Sequence, residues 1–126
     1  MGYYLDHERL EVYRFAIQFV VMADGIVENL PRGRAYLADQ LRRAGASIPL
    51  NIAEGAGEYA PTEKARFYRM AKRSATECSS ILDILKHLHL IDEGSFSRAR
   101  ELLVRIVAML IKVVQRLGEA DTIQRA

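Results

Sequence analysis

The chain has 126 residues, of which 50% are apolar and 27% are charged, and its formal net charge is +2. This composition is typical of one globular domain and excludes a disordered chain. The single cysteine excludes an internal disulfide and a cysteine metal cluster. The apolar runs are far shorter than the roughly 20 residues that a membrane-spanning helix needs, and the N-terminal residues lack a secretion signal. We therefore expect a cytoplasmic protein with no membrane partner.

The apolar pattern predicts an all-α protein with helices at about residues 5–29, 34–56, 62–89 and 95–117, followed by a frayed tail at 119–126. In each helix the apolar residues recur at alternating steps of three and four, as on the core-facing side of a bundle helix. The joints between the helices are short, so sequence neighbours must run antiparallel. The predicted fold is a single-domain, up-down-up-down four-helix bundle.

The first helix has an apolar file and ends at the segment 30–33, Leu-Pro-Arg-Gly, because proline and glycine do not continue a helix cheaply. The file consists of Val12, Ala16, Phe19, Ala23, Ile26 and Leu30.

The second helix contains Pro49, and an interior proline costs on the order of 3 kcal/mol in an isolated helix. The small residues 44–46 leave room for a kink, and the alternative is that Pro49 divides the segment into two helices. The apolar file of this helix is Leu37, Leu41, Ala44, Ile48, Ile52 and Gly55.

A second, polar file runs along the same helix, with Arg43, Ser47, Asn51 and Glu54 spaced four, four and three apart. In the functional interpretation Arg43, Asn51 and Glu54 bind a ligand. In the structural interpretation, which we prefer, the file forms hydrogen bonds across a helix–helix or subunit contact and sets its register, since buried polar groups must be paired.

The third helix begins at Pro61 and Thr62, and the fourth at Ser95, a predicted N-cap. The third file is Phe67, Ala71, Ser74, Cys78, Ile81, Leu85 and Leu88, which predicts that the Cys78 thiol is buried. The fourth file is Ala99, Leu103, Ile106, Leu110, Val113 and Leu117, and Gly118 is predicted to end the helix.

Helices one and four carry more apolar residues than one core-facing stripe needs. The additional residues are Tyr13, Phe15, Ile17, Val20, Val21, Met22 and Val27 in the first helix and Leu102, Val107, Met109, Ile111 and Val114 in the fourth. Because such a surface would aggregate in water, we expect copies of the chain to associate through it. The alternative is a wide stripe that faces the core.

The sequence lacks the patterns of an enzyme. A di-iron bundle needs Glu-x-x-His on paired helices, and no such motif occurs. No histidine lies within one helical turn of Ser74 or Cys78, and the glycines at 55 and 57 are not followed by the Lys-Ser/Thr of a phosphate loop. We expect no enzymatic activity, no metal and no cofactor.

The segment 61–74 has five basic residues and one acidic residue, a local charge of +4 that suits an anionic partner. Tyr68 adds a ring that could stack on a base. The candidate nucleic-acid-binding residues on helices two and three are Arg42, Arg43, Lys64, Arg66, Arg69, Lys72 and Arg73. The alternative is a solvated face or subunit salt bridges, and a pair between Arg73 and Glu77 would favour it.

Two motifs resemble the four-helix-bundle proteins of 23S rRNA intervening sequences. The first is Gln40-Leu41-Arg42-Arg43-Ala44, Ser47-Ile48-Pro49 and Asn51-Ile52-Ala53-Glu54-Gly55. The second is the set Phe67, Arg69, Ala71, Ser74 and Glu77. The resemblance covers roughly residues 8–118, and it departs from the family pattern at Ala60, where a capping Ser or Thr is common.

This resemblance implies a left-handed up-down-up-down bundle and a homopentamer. It also implies a relationship to the accessory variability determinants of diversity-generating retroelements, which work with a reverse transcriptase and RNA. The first functional hypothesis is therefore a non-enzymatic homo-oligomeric scaffold that binds RNA or DNA through its basic surface. The second is a protein-interaction scaffold with no nucleic-acid role.

Overall fold

The structure is a computed structural model that describes residues 5–125, with the side chains of residues 5–122. A short 3-10 helix precedes four α-helices. The elements are the 3-10 helix Asp6–Arg9, α1 Glu11–Glu28, α2 Ala35–Ala56, α3 Pro61–His87 and α4 Glu93–Arg125. Residues 5–125 contain no strand, which confirms the all-helical class. None of the helices in this part of the chain has both the length and the apolar content for crossing a membrane.

Each α-helix packs against two others, since α1 and α3 both contact α2 and α4. The packed faces form one apolar core to which all four helices contribute. The largest fully buried side chains are Phe19, Leu41, Ile48, Ile52, Leu82, Leu85, Ile106, Leu110 and Cys78. All of them except Leu82 belong to the predicted apolar files, so the spacing of apolar residues identified the core.

The predicted first helix is divided at Leu10. This residue has an extended backbone (φ −83°, ψ 124°) that separates the 3-10 helix from α1. Its side chain packs against the core, and the 3-10 helix contacts α2. The prediction of one helix from residue 5 is wrong because the chain bends here to bring Leu10 and the 3-10 helix onto the bundle.

The α2 helix passes through Pro49 without a break, so the alternative of two helices does not apply. Pro49 is itself buried. A Cβ at Gly45, four residues earlier, would make an ordinary van der Waals contact of 3.7 Å with the ring of Phe19 on α1.

The α3 helix ends at His87, two residues before the predicted end. The Leu90 amide donates to the Leu85 carbonyl at 2.8 Å, and His89 takes a positive φ of 57°. This is the Schellman arrangement, with histidine at the position where glycine is usual. Leu88 lies at the C-cap and is 41% exposed, so its predicted place in the core is wrong.

The α4 helix differs from the prediction at both ends. Asp92, not Ser95, caps it, because the Asp92 carboxylate accepts hydrogen bonds from the Ser95 amide (2.8 Å) and hydroxyl (2.7 Å). These bonds hold the pKa of Asp92 below its usual value. At the other end the helix continues through Gly118 to Arg125, where a frayed tail was predicted. Thr122 Oγ1 donates to the Gly118 carbonyl within this last part.

The additional apolar residues of α1 and α4 divide into three groups. Val27 and Leu102 are buried, so the alternative of a wide core-facing stripe holds for them. Ile17, Val21 and Ile111 remain exposed. The others are half-buried: Tyr13, Phe15, Val20, Met22, Val107, Met109 and Val114.

Candidate nucleic-acid interface

The centre of the polar file of α2 forms a hydrogen-bonded link to α3. Asn51 Nδ2 donates to the backbone oxygen and to Oγ of Ser47, both at 2.9 Å. Ser74 Oγ of α3 donates to Ser47 Oγ at 2.9 Å. All three side chains are half-buried, so these hydrogen bonds pair polar groups of two helices of one chain that would otherwise be partly desolvated. The sequence signal for Ser74 was a serine inside an otherwise apolar file.

The ends of the polar file point elsewhere. Arg43 and Glu54 are exposed, and within residues 5–122 neither side chain has a hydrogen bond or an ion pair. The four residues of the polar file therefore do not form a single site. Two of them join helices, and two remain available to a partner.

A groove of about 400 Å³ lies beside the Ser47–Ser74 link and is lined by Ser47, Asn51, Met70, Arg73, Ser74 and Glu77. It carries both signs of charge. Among the described side chains, Arg73 and Glu77 do not form the ion pair that their spacing would allow. Arg73 and Glu77 offset each other in this groove, so it has no net positive charge to attract a phosphate.

Lys64 is engaged in the fold. Its Nζ donates to the carbonyls of Ala56 (2.9 Å) and Gly55 (3.3 Å), which are the last carbonyls of α2. A cation at this end of a helix donates hydrogen bonds to the free carbonyls and interacts favourably with the negative end of the helix dipole. Lys64 therefore stabilises the joint between α2 and α3, a role that the sequence analysis did not assign to it.

Arg66 and Arg42 also have partners within the chain. Arg66 Nε contacts a Glu63 carboxylate oxygen at 2.9 Å, and its guanidinium lies 4.4 Å from the centre of the Phe67 ring. Arg42 Nε lies 3.8 Å from a carboxylate oxygen of Asp24 on α1. Arg42 is thus placed on the α1 side of α2, and the structure does not bring it together with the basic residues of α3.

Three cations on the outer side of α3 have no partner. Arg69, Lys72 and Arg73 are exposed, and their spacing places them away from the core. Among the side chains of residues 5–122, none forms a hydrogen bond or an ion pair with their charged groups. We call these three residues the α3 cationic face. They line a shallow depression of about 510 Å³ together with Thr76, Glu77 and Ser80.

The predicted stacking ring is not accessible. Tyr68 is 4% exposed, and burial together with the Asp6 charge raises its pKa. Its ring packs so closely on α2 that a Cβ at Gly55 would lie 2.9 Å from it. The exposed aromatic residue near α3 is instead Tyr59, in the joint before the helix, which the sequence analysis did not single out.

The described residues contain no cluster of three or more His, Cys, Asp or Glu that could hold a metal. The described residues define a four-helix protein with a polar link between α2 and α3 and with a cationic surface that pairs with none of their side chains.

The chain belongs to the 23S rRNA-intervening sequence protein family, whose model matches residues 8–112. Among solved structures it is similar to a protein of unknown function from the S23 ribosomal protein family of Bacteroides thetaiotaomicron. That structure superposes with a TM-score of 0.76 and 20% identity over 82% of this chain and 97% of the other. The likeness concerns the fold alone. None of the curated proteins matches the chain.

Proposed function

We propose that this chain is a non-enzymatic, homo-oligomeric helical scaffold that binds RNA or DNA through the α3 cationic face. The observation that carries the proposal is that no side chain of residues 5–122 pairs with the charged groups of Arg69, Lys72 and Arg73. Three adjacent cations repel one another, and a phosphate backbone relieves that repulsion.

A salt titration tests the nucleic-acid proposal. If one protomer neutralises three phosphates, the logarithm of the binding constant should fall with the logarithm of salt at a slope of about −2 for a single strand. The triple variant Arg69→Glu/Lys72→Glu/Arg73→Glu should bind no sequence measurably. The control Arg14→Glu/Arg32→Glu/Arg116→Glu makes the same change in net charge at dispersed exposed positions and should bind nearly as the wild type does.

A wild-type protein that binds neither RNA nor DNA in 50 mM salt would contradict the proposal. Equal losses in the two triple variants would also count against it, because net charge would then explain the binding without a defined site.

The assembly proposal rests on apolar surface that the fold leaves uncovered. Val104 is 51% exposed and Ile111 is 39% exposed, and both line a mostly apolar groove of about 360 Å³ between α3 and α4. We propose that copies dock at this groove. The family resemblance suggests a ring of five left-handed up-down-up-down bundles, which would contain five protomers of 14.3 kDa.

Sedimentation at micromolar concentration tests the assembly. Val104→Glu/Ile111→Glu should convert the particle to a folded monomer, because two charges cannot be buried unpaired at a contact. Leu50→Glu, at an exposed position of α2, is the control and should leave the mass unchanged. A wild-type monomer would contradict the proposal.

The same groove supports a second candidate function, a protein-interaction scaffold with no nucleic-acid role, in which another protein occupies the groove. The predicted relationship to accessory variability determinants makes a reverse transcriptase one such partner. The position of the gene tests whether a reverse transcriptase is the partner. A gene beside that of a reverse transcriptase favours this partner, and a gene inside a ribosomal RNA locus does not.

A further inference from the structure

Tyr59 is an exposed aromatic residue in the loop between α2 and α3, which hydrogen bonds hold in place. It is 98% exposed and lies between the end of α2 at Ala56 and the start of α3 at Pro61. The joint is held by a bond from the Glu58 amide to the Gly55 carbonyl at 3.2 Å and by the Lys64 bonds to the end of α2. A tyrosine in this position contributes almost nothing to the core, so folding does not explain the ring.

The position of Tyr59 in the chain places it within about 20 Å of Arg69, the first residue of the α3 cationic face. The first residue of α3, Pro61, is two positions after Tyr59, and the chain spans at most about 7 Å over that distance. Arg69 follows eight residues into the helix, which corresponds to about 12 Å along its axis. One nucleotide stacked on the ring and the next few phosphates on the cations would fit this separation.

We propose that the nucleic acid on the α3 cationic face is single-stranded and that Tyr59 stacks on one of its bases. The inference rests on the proposed function. An aromatic side chain stacks on a base only where the base is unstacked from its neighbours, and a duplex hides the faces of its bases. The cations bind either form, whereas the ring selects the single strand.

Fluorescence anisotropy tests the inference with a fluorescein-labelled 15-nucleotide RNA and with the same strand annealed to its complement. The wild type should bind the single strand more tightly than the duplex. Tyr59→Ala should weaken single-strand binding by about 5- to 150-fold, the loss measured for one stacked base, and should leave duplex binding unchanged. Tyr59→Phe retains the ring and should retain the preference.

Tyr36→Ala is the matched control. Tyr36 is 54% exposed in the first turn of α2, about 30 Å from the joint along the helix, and its removal should change neither affinity. Because the Tyr59 side chain is 98% exposed, its substitution should also leave the melting temperature unchanged.

Three outcomes would overturn the inference. If the wild type binds neither RNA, the proposed function fails and the inference fails with it. If the wild type binds both forms and Tyr59→Ala weakens neither, the phosphate site stands and the stacking role is wrong. If Tyr59→Ala changes the mass of the assembly, the ring is a subunit contact and not a stacking platform.

Discussion

The two sides of α3 differ in what the chain itself provides for them. On the inner side Ala71, Ala75 and Cys78 are fully buried against the other helices. On the outer side the α3 cationic face has no partner within the described residues. Both sides belong to one helix with one backbone, so the contrast lies in the side chains alone.

This contrast separates residues that folding requires from residues that only a partner explains. Replacing an inner residue should change stability, and it should change binding only as far as the protein unfolds. Replacing an outer residue should change binding and leave stability within about ±0.5 kcal/mol. The following experiments test that separation from the largest expected effect to the smallest.

The reactivity of Cys78 should show the largest difference between the two sides. Burial raises the pKa of its thiol from 9.0 to about 12, with a smaller contribution from the Glu77 charge. The thiolate is the reactive form, so native Cys78 should react with Ellman's reagent at pH 8 about a thousand-fold more slowly than an exposed thiol. The control is Cys78→Ser/Ser80→Cys, which places the thiol at an exposed position on the outer side. Comparable rates for the two proteins would refute the burial of the inner side.

The raised pKa of Cys78 also predicts a pH dependence of stability. The unfolded chain loses the thiol proton first as pH rises, so this contribution is fully present below about pH 9 and is lost as pH rises toward 12. Cys78→Ala should therefore flatten the decline in the free energy of unfolding over this range. The pKa of Tyr68 is raised in the same sense, so part of the decline should remain. An unchanged slope would contradict the assignment to Cys78.

Leu82→Ala should destabilise the protein by about 2–5 kcal/mol, because it removes a buried side chain and leaves a cavity. Leu82 is 1% exposed on the inner side of α3. Lys72→Ala on the outer side is the control and should have little effect on stability. Urea denaturation measures both, and a similar midpoint for the two variants would contradict the comparison.

Gly55→Ala should destabilise the protein by about 1 kcal/mol. The new Cβ would lie 2.9 Å from the Tyr68 ring and 3.1 Å from Phe67 Cβ. Overpacking costs about 1–3 kcal/mol and exceeds the gain of about 0.5–1 kcal/mol from removing a helical glycine. Thermal unfolding gives the sign directly, and a stabilised variant would show that α2 and α3 approach less closely at this end.

The Ser47–Ser74 bond should contribute a coupling of about 0.5–1.5 kcal/mol in a double-mutant cycle of alanine variants. Urea unfolding of the four proteins provides the measurement. The same cycle between Ser47 and Ser80, an exposed serine of α3, is the control and should be additive within about 0.5 kcal/mol. Additivity in both cycles would exclude a register role for the link.

The core and the helix count were predictable from the sequence because burial imposes a period that the residues display directly. Ile48 and Ile106, for example, are fully buried members of predicted files. A lone serine among apolar residues marked Ser74, although its partner Ser47 could not be assigned, because pairing depends on the alignment of two helices.

The orientation of residues near the helix joints was not predictable. Lys64 and Tyr68 were interpreted as parts of a binding surface, yet one braces the end of α2 and the other fills the space above Gly55. Their roles depend on the path of the neighbouring helix, which charge and spacing within α3 do not encode. The one sequence feature that indicated a close approach of α2 and α3 was Gly55, a glycine in a file of otherwise apolar side chains.

The helix ends depend on a competition among local hydrogen bonds, and Gly118 provides the final test of such an end. It lies inside α4, and a Cβ there would meet nothing within 4 Å. If the helix continues past this residue, Gly118→Ala should stabilise the protein by about 0.5–1 kcal/mol and increase its helical circular dichroism. This gain is opposite in sign to the loss expected at Gly55, where the same added methyl group meets a ring. An unchanged spectrum and stability would place Gly118 in a frayed tail, and α4 would then end at Gly118, as the sequence predicts.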